Sequence, residues 1–538
     1  MSANSTTSHD PEKNAEIRRQ FLGDYLLTLA KRVDVNDNTL NTSWVGENVL
    51  PRLANIAYSR DPAFQPPLSE KTRVLFRNRL SSAFSHLLSD LEAFSYPCNL
   101  IQTFAPDVIG KDEHIIDSKD KALSTMGRIL KKAKKAKGQD KAPLQALALL
   151  YSLVLFQLYN GESEALSILD ELKLCYDKLI RHKDTEDSDI EASEVLVELL
   201  LSFISKPSAL LRKVTKHVFS AFMGNMTSGG LKLMTDVLES GESLRGQQEL
   251  FDQEPEDGEG VDVDSDDEMD SDVEVVDMHG DEGTFNGHLA EGSDDDESED
   301  EDDEEVSSVE EDDEEAKKLD DALAKALGTH RLDQDMNAEE SDSDADMTDS
   351  EMMALDSKLV EIFSQRKKQP NKKQEQKDAK ETMVNFKSRI LDLLDIYVKK
   401  QATNPLAFGL LLPLLQLIRT TKTKQLAEKA HNIILSFAKA FKSAKKEGAA
   451  DVNISEQIAL MKAIHAEASK DLSHMFAKAA SLSSLLIASS LYRADKSLVK
   501  KIATVYRDSQ TVWAEGEVKM QAAFFHDWVN WCQSHANS

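Results

Sequence analysis

The chain has 538 residues, with 64 Lys or Arg against 96 Asp or Glu and a formal net charge of −32. Three cysteines, Cys98, Cys175 and Cys532, stand too far apart for a disulfide framework or a Cys-x-x-Cys metal site and suit a reducing compartment. The polar N-terminus, MSANSTTSHDPEKN, lacks the apolar core of a secretory signal, and the densest apolar run, Leu410 to Ile418, is far below the ~18 residues of a membrane span.

The charge is unevenly spread. Residues 251–315 hold 34 Asp or Glu and no Lys or Arg, so the rest of the chain has 62 acidic against 64 basic residues. Residues 357–538 carry 29 basic against 17 acidic residues, a net of +12. A molecule polarised in this way points to polyelectrolyte partners.

Residues 1–12 are expected to be disordered, and 13–240 read as helix after helix. QALALLYSLVLFQLYN, Gln145 to Asn160, is apolar nearly all round and predicts an inner helix, with Gly161 as its stop. Leu169, Leu172, Tyr176, Leu179 and Ile180 form an apolar stripe at helical spacing, and so do Leu196, Leu199, Leu200, Phe203 and Ile204. Pro207 suits a first helical turn, followed by a stripe of Leu210, Leu211, Val214, Val218 and Phe222. Gly229-Gly230 is expected to break the chain before a short helix, Leu231 to Leu238.

Residues 241–356 are dense in like charge and poor in apolar residues, so they cannot offset the entropy of ordering and read as a disordered acidic insert. Lys317 to Arg331 could form a short helix inside it. A basic linker spans 357–383. Helices resume over 384–533: Ile390, Leu393, Leu394 and Tyr397 make a stripe, Asn404-Pro405 starts a new segment, and Pro413 kinks a helix or begins a second one. Further helices are expected over Gln425–Lys446, Ile454–Ala468, Leu472–Tyr492, Leu498–Tyr506 and Glu515–Cys532. Helical hairpins without alternating strands predict an all-α solenoid of armadillo or HEAT type, in two segments around the acidic insert.

Signatures of catalysis are scarce. There is no Gly-rich phosphate loop and no His-Glu-x-x-His, and His465 and His474 sit singly among helix formers. The Asp-x-Asp strings lie in solvated sequence without the rigid frame that two-metal chemistry needs. No catalytic residue, metal or cofactor is expected. The acidic tract is either a solubilising spacer, a capture surface for basic proteins such as histones or ribosomal proteins, or an internal competitor with nucleic acid for the basic C-terminal segment. Ser265, Ser271, Ser293, Ser298, Ser341 and Ser343 lie in the Ser-x-x-acid pattern of acidophilic kinases, and each phosphate would add about −1.5 to −2 of charge. Arg366, Lys367, Lys368, Lys372 and Lys373 form an exposed candidate for an import receptor or for phosphate binding. A second cluster, Lys131, Lys132, Lys134, Lys135 and Lys137, is either the solvated end of a helix or another phosphate surface. Neither cluster is interleaved with aromatics, so contacts to DNA or RNA would be of the salt-sensitive backbone kind.

The block LLSFISKPSALLRKVTKHVFSAFMGNMTSGGLKLMTDVLES, the acid tract after it, and the block FKSRILDLLDIYVKKQATNPLAFGLLLPLLQLIRTTKTKQLAEKAHNII together resemble the DNA polymerase phi family, also called the DNA polymerase V or Myb-binding protein 1A family. The resemblance covers most of the chain and places it in the C-terminal portion of longer members. It implies an armadillo-like fold and a nucleolar protein, associated with ribosomal DNA, that supports rRNA transcription, transcriptional regulation and ribosome biogenesis. The family name also implies a DNA-directed DNA polymerase, although no catalytic residue of the family can be matched here. The expectation is therefore a non-catalytic scaffold of the nucleus and nucleolus, with no membrane partner. The alternatives are a polymerase or a histone-chaperone-like acidic module.

Overall fold

The computed structural model describes residues 11–32, 44–58, 64–88, 91–104, 112–181, 191–251, 376–444 and 453–536. The first segment contains α1 (Pro11–Lys31), α2 (Leu50–Tyr58), α3 (Glu70–Leu87), α4 (Ser95–Ile101), α5 (Glu113–Lys135), α6 (Lys141–Asn160), α7 (Ala165–Cys175), α8 (Ala192–Ser205), α9 (Ala209–Phe222), α10 (Ser228–Glu239) and α11 (Leu244–Phe251). The second contains α12 (376–400), α13 (Pro405–Phe408), α14 (Leu411–Thr420), α15 (Lys424–Ser443), α16 (Ile454–Ala468), α17 (His474–Ala494), α18 (Val499–Ala514) and α19 (Ala523–Ala536). Among the described residues there is no strand.

Many successive helices pack against one another, and each segment has one hub. Helix α6 touches α4, α5, α7 and α9, and every residue from Leu144 to Tyr159 is buried. This is why its sequence is apolar on all sides. Its end is a left-handed Gly161 (φ 90°), with the Glu162 N–H reaching back to the Gln157 carbonyl at 3.1 Å. In the second segment α17 touches α14, α15, α16, α18 and α19. Both hubs, unlike the run Leu410 to Ile418, are long and apolar enough to cross a bilayer, and both are mostly buried inside the protein.

The helices on either side of residues 252–375 belong to one compact unit. Helix α10 lies on α14, and Phe219 of α9 meets Tyr397 of α12 at 6.4 Å between ring centres. Helix C-termini are closed by side chains from a neighbouring helix, which satisfy carbonyls that lack an intrahelical partner, and the lysine and arginine among them suit the negative end of the dipole. Lys213 Nζ donates to the Ser85 carbonyl (2.8 Å), and His217 Nε2 stands 3.1 Å from the Leu88 carbonyl, both at the end of α3. Arg493 donates to the Phe441 carbonyl (2.8 Å) near the end of α15 and lies over the Phe441 ring.

Several boundaries differ from those read in the sequence. The glycine pair does not interrupt the chain. Thr227 caps α10 by accepting from the Gly230 N–H (3.1 Å), and both glycines lie in the first turn. A Cβ at 230 would stand 3.0 Å from Met226 Sδ and 3.3 Å from Val197 Cγ2, so glycine there permits close approach to α8. Pro207 precedes the helix, and Ser208 is its cap. Pro413 lies in the first turn of α14, so it begins a helix instead of kinking one. Helix α18 runs past its expected end at Tyr506 to Ala514, Gly516 (φ 78°) follows it, and the helix expected over Glu515–Cys532 starts only at Ala523. The segment 317–331 lies outside the described residues.

Candidate functional site

Lys131, Lys132, Lys134 and Lys135 occupy the last turns of α5 and Lys137 follows it; all five are exposed, while Ala133 faces the core. The structure thus brings five ammonium groups to one helix end. Lys132 Nζ lies 5.4 Å from the centre of the Tyr176 ring, an aromatic contact that linear reading of the cluster could not find. The other candidates, Arg366, Lys367, Lys368, Lys372 and Lys373, together with Ser265, Ser271, Ser293, Ser298, Ser341 and Ser343, lie outside the described residues.

Where the two segments meet, charged side chains are paired inside the protein. Glu242 accepts from Lys387 Nζ (3.5 Å), Thr421 Oγ1 (2.7 Å) and Thr423 Oγ1 (3.1 Å), and the Lys387 side chain is only 3% exposed. Burial pulls the Lys387 ammonium below its ordinary range despite the Glu242 charge beside it. Arg389 Nη1 donates to the carbonyls of Ile204 (2.9 Å), Ser205 (3.1 Å) and Lys206 (3.2 Å), closing the end of α8. Asp392 lies between Lys429 and Lys216 (2.9 Å to the latter). Burial would raise its carboxyl, but these two cations override that and hold it below the usual range. Several of the cations behind the +12 balance of residues 357–538 are therefore spent on the fold, and the charge left to a polyelectrolyte is smaller than composition implies.

His465 is buried. Its Nδ1 lies 2.7 Å from Ser509 Oγ and its Nε2 lies 2.8 Å from Ser484 Oγ, and the Ser484 hydroxyl bonds the Tyr506 phenol at 2.8 Å. Burial drives the imidazole down to about 3, so it is neutral, with one N–H and one lone pair to satisfy two hydroxyls. No carboxylate bonds the ring; the Ser484 hydroxyl and Tyr506 phenol are enclosed and Ser509 is half-buried, so the arrangement is a packed polar network. Among the described residues no group of three His, Cys, Asp or Glu side chains could hold a metal ion.

A crevice of about 330 Å³ opens in the first segment, walled by Tyr58 of α2, Arg77, Leu80, Ser81 and Phe84 of α3, Leu153, Phe156, Gln157 and Asn160 of α6, Glu162, and Lys206, Pro207, Ser208, Leu210 and Leu211 at the start of α9. Tyr58 donates to Asn160 Oδ1 at 2.9 Å, and burial raises its phenol above the ordinary range. The Arg77 guanidinium lies 5.5 Å above the Tyr58 ring and pairs with Glu70 at 2.9 Å. Sequence reading missed this crevice because its walls come from four stretches that only the fold brings together.

Comparison with known proteins finds the family described as DNA polymerase phi over residues 2–398. The rDNA transcriptional regulator pol5 of Schizosaccharomyces pombe is 32% identical over 547 aligned residues, covering 96% of this chain and 53% of that protein. The rDNA transcriptional regulator POL5 of Saccharomyces cerevisiae is 27% identical over 27% of this chain and 12% of its own length. Human Myb-binding protein 1A is 29% identical over 22% of this chain and 9% of its own length. The chain thus spans about half the length of the fission-yeast relative. No solved structure matches it.

Proposed function

Since the chain belongs to the DNA polymerase phi family, we propose that it is a non-catalytic helical scaffold of the nucleus and nucleolus that works at ribosomal DNA, supporting rRNA transcription, its regulation and ribosome biogenesis. One observation carries this reading: a relative named for regulating rDNA transcription aligns with 96% of the chain, acidic run included. In this reading the helical body presents partner surfaces. The 34 carboxylates of residues 251–315 capture basic proteins such as histones or ribosomal proteins, or compete with nucleic acid. Phosphorylation of Ser265, Ser271, Ser293, Ser298, Ser341 and Ser343 would strengthen that role. Arg366, Lys367, Lys368, Lys372 and Lys373 engage an import receptor and, with the lysines at the end of α5, nucleic-acid phosphates.

Crosslinking with mass spectrometry from nuclei tests the proposal. The expected crosslinks are to rDNA chromatin proteins or to pre-ribosomes, and a chain found on neither would sink it. The family's description favours a second reading, a DNA-directed DNA polymerase. Primer extension with Mg²⁺ separates the two: template-dependent incorporation that is lost on a single Asp→Asn change would establish the polymerase. A purified chain that binds histones as its sole partner would support an acidic chaperone-like module instead.

A further inference from the structure

Helix α1 presents two unlike faces. Its inner face is packed: Gly23, Leu26, Leu27 and Ala30 are buried, and a Cβ at 23 would stand 3.4 Å from the Phe76 ring. Charged side chains beside that face are engaged with α3 and the stretch leading into it. Glu16 accepts from Ser69 Oγ (2.6 Å), Arg19 donates to the carbonyls of Pro66 and Pro67, and Asp24 pairs with Arg79 (2.9 Å). The outer face is bare. Ile17 is 44%, Phe21 70%, Leu22 42% and Tyr25 62% exposed. Among the described residues no other helix exposes more than one large apolar side chain. A contiguous apolar patch of this kind on a soluble chain marks an interaction surface.

We propose that α1 is a contact between two copies of this chain, the ridge Ile17–Phe21–Tyr25 of one copy packing against the same ridge of the other. Side chains at i, i+4 and i+8 form one row on a helix, and two such rows interdigitate at about −50° in the commonest class of helix packing. Phe21 is the middle member, so a twofold axis beside it brings Ile17 of each copy to Tyr25 of the other, and every contact is made twice. Area supports the match. Aromatic side chains present about 150–250 Å² each, so the four exposed residues offer on the order of 400 Å² per copy. Two copies with the surrounding Asn14, Arg18 and Thr28 approach the low end of specific interfaces, about 1,200 Å² in total. Charge decides against a polyanion or an anionic bilayer, each of which needs a cluster of cations beside the ridge. Helix α1 has four basic and three acidic residues, and Arg19, Glu16 and Asp24 are turned to α3. The partner must therefore be an apolar helix ridge of little net charge, and among the described residues the surface of that form is α1 itself.

The test is the mass of the full chain by sedimentation velocity between about 1 and 100 µM, the range over which a small interface assembles. A reversible shift toward twice the monomer mass is expected. Each copy carries −32, so the apolar contact must strengthen between about 0.1 and 0.5 M salt, as repulsion is screened. Phe21→Asp should weaken association about thirtyfold, the effect of losing a central aromatic anchor. Tyr25→Asp should weaken it in the same direction. Both side chains are exposed in the single copy, so circular dichroism and melting should match the parent. Val529→Asp, at the exposed apolar residue of α19, should leave association unchanged. The proposal is overturned if the chain stays monomeric at every concentration and salt, which would leave the face to a helix of another protein. It is equally overturned if the dimer survives both α1 variants, dissociates in Val529→Asp, or weakens as salt rises.

Discussion

The two hub helices solve the same problem with different side chains. Helix α6 fills its surroundings with bulk: Leu147, Leu149, Leu150, Val154 and Leu155 are fully enclosed. Helix α17 also buries Phe476, Leu486, Ile487 and Leu491, but most of what it encloses is small: Ala477, Ala479, Ala480, Ser481, Ser483, Ser484, Ala488 and Ser490. Small residues let neighbouring helices come close, and every hydroxyl so enclosed must then find a partner. Ser483 donates to the Ala479 carbonyl (2.8 Å), Ser481 donates to Asp527 (2.7 Å), and Ser484 joins His465 and Tyr506. The first hub relies on apolar area and ignores pH. The second relies on closeness and hydrogen bonds, and so carries a titratable ring in its core.

The comparison is meaningful only if both hubs belong to one folding unit, and Glu242 tests that most severely. Glu242→Leu leaves Lys387 buried without its partner and should cost about 3–5 kcal/mol. Adding Lys387→Met should recover most of the loss, because a buried pair replaced by apolar residues is often neutral. Urea denaturation followed by circular dichroism should show one transition in all three proteins. Two separated transitions, with the single variant as stable as the parent, would mean that the segments fold independently.

Size sharpens the contrast next. Leu150→Ala should destabilise by about 3 kcal/mol, the loss of burial plus a cavity. Ala480→Leu should destabilise by about 2 kcal/mol for the opposite reason, because the close helices around α17 have no room for added methylenes. If Ala480→Leu were neutral or stabilising, the closeness assigned to the second hub would be wrong.

Acid distinguishes the hubs more gently. His465 is held neutral in the fold, down to about 3, whereas an unfolded histidine titrates near 6.5. Above pH ~6.5 neither state binds this proton and the contribution is complete. As pH falls below that value only the unfolded chain is protonated, so stability drops by about 1.4 kcal/mol per pH unit until the folded ring titrates. Between pH 6.5 and 5 this amounts to about 2 kcal/mol. His465→Gln should be less stable at pH 7 yet lose little more on acidification to pH 5. The same slope in both proteins would assign the acid sensitivity to other groups.

These features were legible in the sequence to different degrees. The apolar stripes of α8, α9 and α12 are all buried as their spacing required, because period alone decides which side of a helix faces the core. The all-round apolar α6 was equally plain. Helix α17 was found, but its role as a hub was not, since alanine and serine signal neither core nor surface until neighbours are placed. Gly229 and Gly230 look like a break to local reading, and only the nearness of α8 shows why glycine is there. The crevice joins Tyr58 to Leu211, and the Glu242–Lys387 pair joins residues 145 apart in the chain, and nothing in local pattern encodes such a meeting.

The smallest effect on stability concerns the lysines at the end of α5, and it decides between their two readings. Cations there suit the carbonyl end of the helix by about 0.3–1 kcal/mol in total, and Lys132 adds a comparable contact with Tyr176. Replacing Lys131, Lys134, Lys135 and Lys137 with Gln, and sparing Lys132, should lower stability by no more than about 1 kcal/mol. If the group also touches phosphates, its removal must change the salt dependence of binding. Each lost contact lowers the slope of log K against log salt by about 0.9 on duplex DNA, and four would nearly abolish a weak interaction. Fluorescence anisotropy with a ribosomal DNA duplex over a salt series measures this directly. A slope that falls with thermal stability intact assigns the cluster to nucleic acid. An unchanged slope leaves it as the solvated end of a helix and moves phosphate binding to Arg366, Lys367, Lys368, Lys372 and Lys373, where the matching substitutions should then reduce the slope.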